Sequence, residues 1–567
     1  MELNKKKLIE LIFEKGLGSQ IVDDEISQTN STYRESNKCL FTIKVQPTSE
    51  SGPERYKNII SLINLAKEYG FAIHPISKGK NLGYGGSEPY KPSVVVDLSA
   101  FDKIYNYKNT VGHITVEPGV TQDAISKYLI KKGNLHIHDT TGAPKSASIV
   151  GNYLERGFGH TPMAEHAKNI LNSEVIIPNG MNETPTIVCS STDGTIISIE
   201  NYEVTRTYSI GPDYTGVFIQ SNFGVVVNLT IKLLPKPADF VAYFIPFKKT
   251  QAKKLIDLCA QLRRQGTIHS GAHIGNDIKT LQLLAAEHPQ LISSYEKSEL
   301  NKVIKSIELD DWTLSGGLYG TSNQIKAHKK DLRASFKQMG LKIIFLGKTR
   351  LKVVNKIEVR ITKNKESIAK LLSSKNVVIR KLAAKLLLLP GLKALCDVKQ
   401  GVPTNFFLKT IYWRNLHKLG QPKLDPSAQQ VGLIWGAPCA EISGDNFQVL
   451  TQLMETTCEK HSLECPISVT LINDRSMECV MSLSYDRNDK EQETRALACY
   501  EEMMVGAADM HFVQYRMSTL SNEFLGSEHL SLKTVFLNLK AKLDPCDIIS
   551  PGKYRLVSEN FTTQKGN

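Results

Sequence analysis

From Tyr56 to Tyr69 the apolar residues Ile59, Ile60, Leu62, Ile63, Leu65 and Ala66 share one broad helical face, and the pattern stops at Gly70. This predicts a helix closed by a glycine cap. On either side of it the period changes. Phe71-Ala-Ile, Ser93-Val-Val-Val-Asp-Leu98 and Ile114-Thr-Val116 are short apolar runs of the buried-strand type. Residues 122–132 return to helical spacing and run into Lys-Lys-Gly, cations and a glycine where the helix dipole and a left-handed cap favour them. Residues 217–235 are β-rich, with an interruption at Gly224. Strands and helices mixed in this way predict an α+β unit.

After Pro235-Lys-Pro237 the texture changes. The pattern predicts strands over 240–247, 312–319 and 467–472, helices over 249–265, 323–339 and 446–461, and a β block at 431–438. One long cationic helix is expected from about Glu366 to Leu389, ending at Pro390-Gly391. This is a second layered unit. At the amino terminus Glu10 and Glu14 break a short apolar patch at helical spacing, so an amphipathic arm is expected there rather than a leader. The polar stretch Ser27–Tyr33 that follows carries no structural signal.

Composition narrows the function classes. A chain of 567 residues exceeds one ordinary core and implies two or three domains. With 41% hydrophobic and 22% charged residues it has the balance of a soluble globular protein. The net charge of +13 would suit nucleic acid, but the lysines look scattered and no basic helix interleaves aromatics for base stacking, so no nucleic-acid partner is expected. No run of 18 apolar residues occurs, so no membrane span is expected either. The ten cysteines are dispersed without a Cys-x-x-Cys, which predicts a reduced, cytoplasmic setting and no metal site.

The chemistry starts at Pro75-Ile-Ser-Lys-Gly-Lys-Asn-Leu-Gly-Tyr-Gly-Gly86, four glycines in eight residues between two expected strands. Glycine permits positive φ and close approach, so successive N–H groups can turn toward one anion such as a diphosphate. The spacing is neither that of the Rossmann turn nor that of the P-loop. Three further stretches accompany it: Val116-Glu-Pro-Gly-Val-Thr121, Asp139-Thr-Thr-Gly-Ala-Pro144 and Ser148-Ile-Val-Gly-Asn-Tyr-Leu-Glu-Arg-Gly-Phe-Gly-His-Thr-Pro162. The chain closes with Asp544-Pro-Cys-Asp-Ile-Ile-Ser-Pro-Gly-Lys553.

Together these motifs, in this order, resemble the vanillyl-alcohol oxidase / p-cresol methylhydroxylase family of flavoproteins, from about residue 40 to the C-terminus. The resemblance implies an α+β two-domain flavoprotein: an FAD-binding domain of the p-cresol methylhydroxylase type and a separate α+β cap that covers the substrate. The corresponding boundaries are an arm at 1–40, the FAD domain at 41–237, the cap at 238–500 and a segment at 501–567 that returns to the FAD domain. By the same resemblance FAD lies against Ser77, Lys78, Gly79, Lys80, Asn81, Gly83 and Gly85, against Thr141 and Gly142, and against Ser148, Gly151, Asn152, Glu155, Gly157 and Gly159. Lys553 of the closing motif lies near the active site. Glu155 and Arg156 are also expected to pair with each other and support their loop.

In the resembling enzymes two tyrosines and an arginine hold a 4-alkylphenol as phenolate, and the matching catalytic positions are Tyr84, Tyr515 and Arg516. Two phenolic donors and a guanidinium lower the pKa of a bound phenol, and the phenolate then pushes electrons as hydride leaves the benzylic carbon. Trp435 matches a pocket tryptophan. Other positions depart from the family. Leu433 and Asp425 stand where a histidine or tyrosine would tether the flavin, so non-covalent FAD is expected, with His417 too far upstream. Glu478 and Cys479 replace paired histidines and place Glu478 in the expected substrate pocket, and the carboxylate base has no counterpart near Pro144. His136 and His138 are expected to be core or edge histidines without a role.

The expected function is thus hydride removal from a phenolic substrate, with the electron acceptor unknown and a homodimer compatible with the resemblance. A 2-hydroxy acid or sugar alcohol oxidase or dehydrogenase, or a flavin-binding protein without turnover, are the alternatives.

Overall fold

The computed structural model describes residues 5–17, 21–23, 31–33, 38–191, 211–524 and 533–555; most of the polar stretch at 27–33 lies outside them. Helix Lys57–Tyr69 ends as its pattern predicts, with Gly70 at φ 68° and its N–H donated to the Ala66 carbonyl. It connects strand Cys39–Lys44 to strand Ile73–Ile76, and both pair in parallel with strand Ser93–Asp97. Strand Ile21–Asp23 completes this four-stranded sheet. Its core gathers Phe41, Ile43, Ile59, Leu62, Ile63 and Val94, together with Leu8 and Ile12 of the amphipathic helix Lys5–Glu14.

A five-stranded antiparallel sheet follows, in the order Ile104–Lys108, His113–Val116, Val225–Lys232, Ile170–Ile177 and Thr186–Cys189. Helix Gln122–Lys131 packs on it. The β-rich stretch at 217–235 is only half strand. Thr215–Phe218 is a tight 3-10 turn, and the strand starts at Val225 because a side chain at Gly224 would collide with the Ile176 carbonyl, 2.7 Å from the added Cβ.

The second unit is a nine-stranded sheet drawn from residues 239–514. Side chains alternate across it. One face carries Tyr243, Leu314, Ile274, Val469, Cys479 and Met481 into a core sealed by helices Ala252–Arg264, Gly444–Lys460 and Lys490–Asp509. The alternate positions Thr313, Ser315, Ser468, Thr470, Ser482 and Ser484 face a cavity instead. The edge strand Val513–Gln514 pairs with Pro438 and Cys439, so the chain stays with this sheet beyond residue 500.

The long cationic helix is not continuous. It divides into Lys365–Lys370, the turn Leu371–Ser373 and Val377–Leu387, and Pro390 opens the next helix, Leu389–Val398, instead of ending the last one. Proline in a first helical turn has no N–H to waste, so it starts helices as readily as it stops them. The lysines are not scattered either. Residues 348–385 hold twelve lysines and arginines against two glutamates, a net +10 of the whole chain's +13. Among the described residues no helix is long and apolar enough to cross a membrane.

The tail returns to the first sheet. Ile73 N–H donates to the Ile548 carbonyl and Ser550 N–H to that of Ile73, both at 2.8 Å. Lys540, fully buried, donates to the carbonyls of Asn222 and Ile549 and pairs with Asp544 at 2.6 Å and Asp547 at 3.3 Å.

Candidate functional site

A cavity of about 820 Å³ lies between the glycine loops of the first unit and the hydroxyl-bearing face of the large sheet. That is within the size range of sites that enclose a ligand. The loop after strand Ile73–Ile76 has Gly79, Gly83, Gly85 and Gly86 all at positive φ, which explains its glycine density. Ser77, Lys78, Gly79, Lys80 and Asn81 line the cavity, and the Asn81 side-chain oxygen is buried without a partner. The lysine ends turn aside: Lys78 reaches toward the Ser99 carbonyl and Lys80 pairs with Asp425 at 3.4 Å.

Gly83 and Gly85 do not line the cavity. A Cβ on Gly83 would come within 2.9 Å of the Trp435 ring, and one on Gly85 within 2.7 Å of the Tyr33 hydroxyl. Gly83 also donates its N–H to Thr32 and accepts from the Trp435 N–H. These two glycines seat the loop on Trp435 and on Tyr33 and Thr519; they do not line the cofactor cleft.

Thr141, Gly142, Ser148, Gly151, Asn152, Glu155 and Gly157 line the same cavity. Ser148 caps helix Ile149–Leu154 by accepting the Gly151 N–H. A side chain on Gly151 would sit 2.5 Å from the Ser77 hydroxyl, so glycine lets the two loops close on each other. Gly159 is structural too. It leaves room for the Asp139 carboxylate, which accepts the N–H groups of His160 and Thr161. Glu155 pairs with Lys553 and accepts from the Tyr554 hydroxyl, not with Arg156, whose side chain is exposed. Burial works to raise the Glu155 pKa, but Lys553 and Arg516 outweigh it and hold the carboxyl below its usual range. This backbone-lined, glycine-opened cleft fits an extended dinucleotide such as FAD.

Tyr84, Tyr515 and Arg516 meet at one wall. Strand Val513–Gln514 delivers Tyr515, whose N–H donates to the Ala437 carbonyl. The Tyr84 and Tyr515 rings stand perpendicular at 6.2 Å, Trp435 lies edge-on to Tyr84 at 5.6 Å, and the Arg516 guanidinium sits over the Tyr84 ring at 4.7 Å. Tyr84 is buried and its hydroxyl has no hydrogen-bond partner; Tyr515 is near enough to affect it but short of bonding geometry. Burial first, then Tyr515, push the Tyr84 pKa well up. The Arg516 Nε is likewise unpartnered. Burial opposes the charge on Arg516, yet Tyr515 and Glu155 raise its pKa further.

Glu478 takes the cavity-side parity of strand Ser476–Asp486 but lies beyond the cavity lining, near Arg156 and Glu165. Burial pushes its pKa up to about 8 from an ordinary 4.5, against the nearby Arg156. The folded protein therefore holds this proton while the unfolded chain releases it. Its contribution is full below pH 4.5 and fades as pH rises toward 8, at up to about 1.4 kcal/mol per pH unit. Glu478→Gln should remove that slope, so denaturation at pH 5.5 and 7.5 should show a variant that gains on the parent as pH rises. Parallel profiles would contradict the assignment.

Leu433 is buried and lines the cavity, Asp425 is occupied with Lys80, and His417 is an exposed residue outside the lining. His136 bonds Tyr107 at 2.9 Å, away from the cavity, and His138 is buried with burial pressing its pKa to about 3. Several lining residues carried no sequence signal. His74 bonds Ser550 at 2.9 Å, and His273 and Lys279 come from the second unit. His160 stood within the quoted Gly-Phe-Gly-His-Thr-Pro motif, which offered the one available hint.

The family described as FAD binding domain matches residues 51–184. The 1'-carboxy-chondrochloren decarboxylase of Chondromyces crocatus is 27% identical, covering 88% of this chain and 89% of its own length. The 4-cresol dehydrogenase [hydroxylating] flavoprotein subunit of Pseudomonas putida is 24% identical over 94% and 92%. Among solved structures, 4-ethylphenol oxidase from Gulosibacter chungangensis, as its isoeugenol complex, superimposes with a TM-score of 0.80 at 18% identity over 99% of both chains. Substrate-bound p-cresol methylhydroxylase gives 0.77 at 21% over 98% of both. With its ordered glycine motifs, its FAD-binding domain and relatives that match it end to end, the chain is an FAD-dependent oxidoreductase, similar along its length to the vanillyl-alcohol oxidase / p-cresol methylhydroxylase enzymes.

Proposed function

We propose that this oxidoreductase removes hydride from a 4-substituted phenol held as its phenolate by Tyr84, Tyr515 and Arg516. The observation that carries the reading is the buried, unpartnered Tyr84 hydroxyl beside Tyr515 and under the Arg516 guanidinium, at the wall of the FAD cavity. A buried hydroxyl without a partner is costly unless a ligand completes it. A phenolate oxygen can accept from both tyrosines and from the free Nε of Arg516. FAD supplies the hydride acceptor. The backbone of Ser77–Asn81 and of 148–157 would hold it, and Glu155 with Lys553 would tie its two loops to the tail.

The chain's own work is binding and charge. Arg516 makes the phenolate the favoured form, so the phenol loses its proton at oxygen, and the two electrons leave with hydride from the carbon attached to the ring. Trp435 and Phe158 pack against the tyrosines and keep water from the anion. The aromatic wall of Tyr84, Trp435, Tyr515 and Phe158 favours a phenol over a 2-hydroxy acid, which carries no ring to pack against it. Anaerobic addition of 4-alkylphenols to the purified yellow protein should bleach the flavin; bleaching by hydroxy acids alone would overturn the reading.

The FAD is non-covalent in this proposal, since Leu433 faces the cavity where the family's tether would stand. Acid precipitation should leave the flavin in the supernatant. A yellow pellet would point to His160 or His273, which both face the cavity.

A further inference from the structure

The cavity holds a second polar cluster, built mainly from the cap, that the phenolate reading does not use. Lys279 on helix Asp277–Glu287 lines it, and among the described residues its ammonium makes no hydrogen bond or ion pair. Burial alone brings its pKa down to about 8. One turn on, Gln282 is 2% exposed and lines the same wall with neither amide atom partnered. His273 is fixed by Thr470 at 3.1 Å, and the His160 ring stands edge-on to it at 5.9 Å with its Nδ1 unpartnered. Behind them lies Lys399, fully buried with an unpartnered ammonium.

Among the described residues no carboxylate offsets Lys279. Of the acids lining the cavity, Glu155 is engaged by Lys553, Glu88 accepts from Thr519, and Asp310 has Lys248, Asp311, Lys385 and Lys381 as its charged neighbours. Asp139 does act on Lys399: its Oδ1 accepts the N–H groups of His160 and Thr161 and its Oδ2 lies 3.4 Å from His166, so Lys399 has a carboxylate nearby and Lys279 has none. A half-buried cation without a counter-ion and a buried amide without a bond are both costly, and an anionic ligand relieves both at once. The cofactor's diphosphate is suited to the glycine loops, so it does not account for groups carried by the cap.

We propose that Lys279, Gln282, His273 and His160 bind the carboxylate of the substrate's side chain, so that the substrate is a phenol with an acidic tail. This rests on the phenolate reading of the Tyr84 wall. An ammonium, an amide N–H and imidazole N–H groups match a planar, singly charged acceptor.

The test compares 3-(4-hydroxyphenyl)propanoate with 4-propylphenol on the holoenzyme, by the concentration dependence of anaerobic flavin reduction. The acid-tailed phenol should half-saturate at a concentration about tenfold lower or more. Lys279→Met should collapse that ratio toward one and Lys279→Arg should keep part of it. Because the methionine variant loses a half-buried, cavity-facing cation without a counter-ion, its thermal midpoint should hold or rise. A ratio near one in the parent, or a ratio unchanged in Lys279→Met, overturns the proposal. If neither phenol reduces the flavin, 3-phenylpropanoate separates the two claims. Flavin spectral perturbation by that acid, lost in Lys279→Met, supports the carboxylate site while the phenolate reading falls; no perturbation sinks both.

Discussion

Arg516→Ala is expected to slow flavin reduction by an accepted phenol by roughly one to two orders of magnitude, while FAD content stays unchanged. The guanidinium lies over the Tyr84 ring at 4.7 Å with its Nε unpartnered, so its removal takes both a charge and a donor from the anion. A charge-assisted hydrogen bond in a buried site contributes about 1.5–3 kcal/mol, and each factor of ten in rate is about 1.4 kcal/mol. Arg516→Lys should lose less, because the charge remains but the planar fork and its stacking on Tyr84 do not. Tyr84→Phe and Tyr515→Phe each remove one donor and should raise the apparent pKa of bound phenol. Stopped-flow reduction across a pH range measures all four. Parent-like rates in Arg516→Ala at every pH would end the phenolate reading.

Lys540→Met should release the C-terminal segment from the FAD domain. Lys540, Asp544 and Asp547 form a buried cluster in which one ammonium serves two carboxylates and two backbone carbonyls. Asp544 also accepts the N–H groups of Ile548 and Ile549, which fixes the turn that leads to Ser550 and Lys553. Removing the cation leaves buried acids unpaired, at a cost of about 3–5 kcal/mol. Burial already pushes Asp547 up to about 6 with Lys540 present. Hydrogen exchange of residues 533–555 should accelerate and FAD should dissociate faster. Unchanged exchange there, with retained flavin, would show that the closing motif is held by other contacts.

Both predictions depend on contacts between parts of the chain far apart in sequence. Local order was legible beforehand for a local reason. Helix Lys57–Tyr69 and its Gly70 cap follow from spacing within one segment, as does the positive-φ glycine loop, because backbone sterics act over a few residues. Motif order pointed to FAD and to Tyr84, Tyr515 and Arg516 as partners, although the residues stand more than 400 positions apart. Which glycine faces ligand and which faces protein was not legible. Gly83, Gly85 and Gly159 look the same as the cavity-lining Gly142 in sequence, and only Trp435, Tyr33 and Asp139 packed against them separate the two kinds.

The sequence by itself determined helices such as Lys57–Tyr69, the positive-φ glycine loop and the FAD-binding domain, because these rest on short-range periodicity, glycine conformation and ordered motifs. Tertiary structure decided the rest. Pro390 starts a helix because the chain turns there, Glu155 finds Lys553 because the tail returns, and Lys279 meets the cavity because its helix turns that face inward. Periodicity marks a helix face as polar, but whether that face meets water or a cavity depends on what the rest of the chain lays against it.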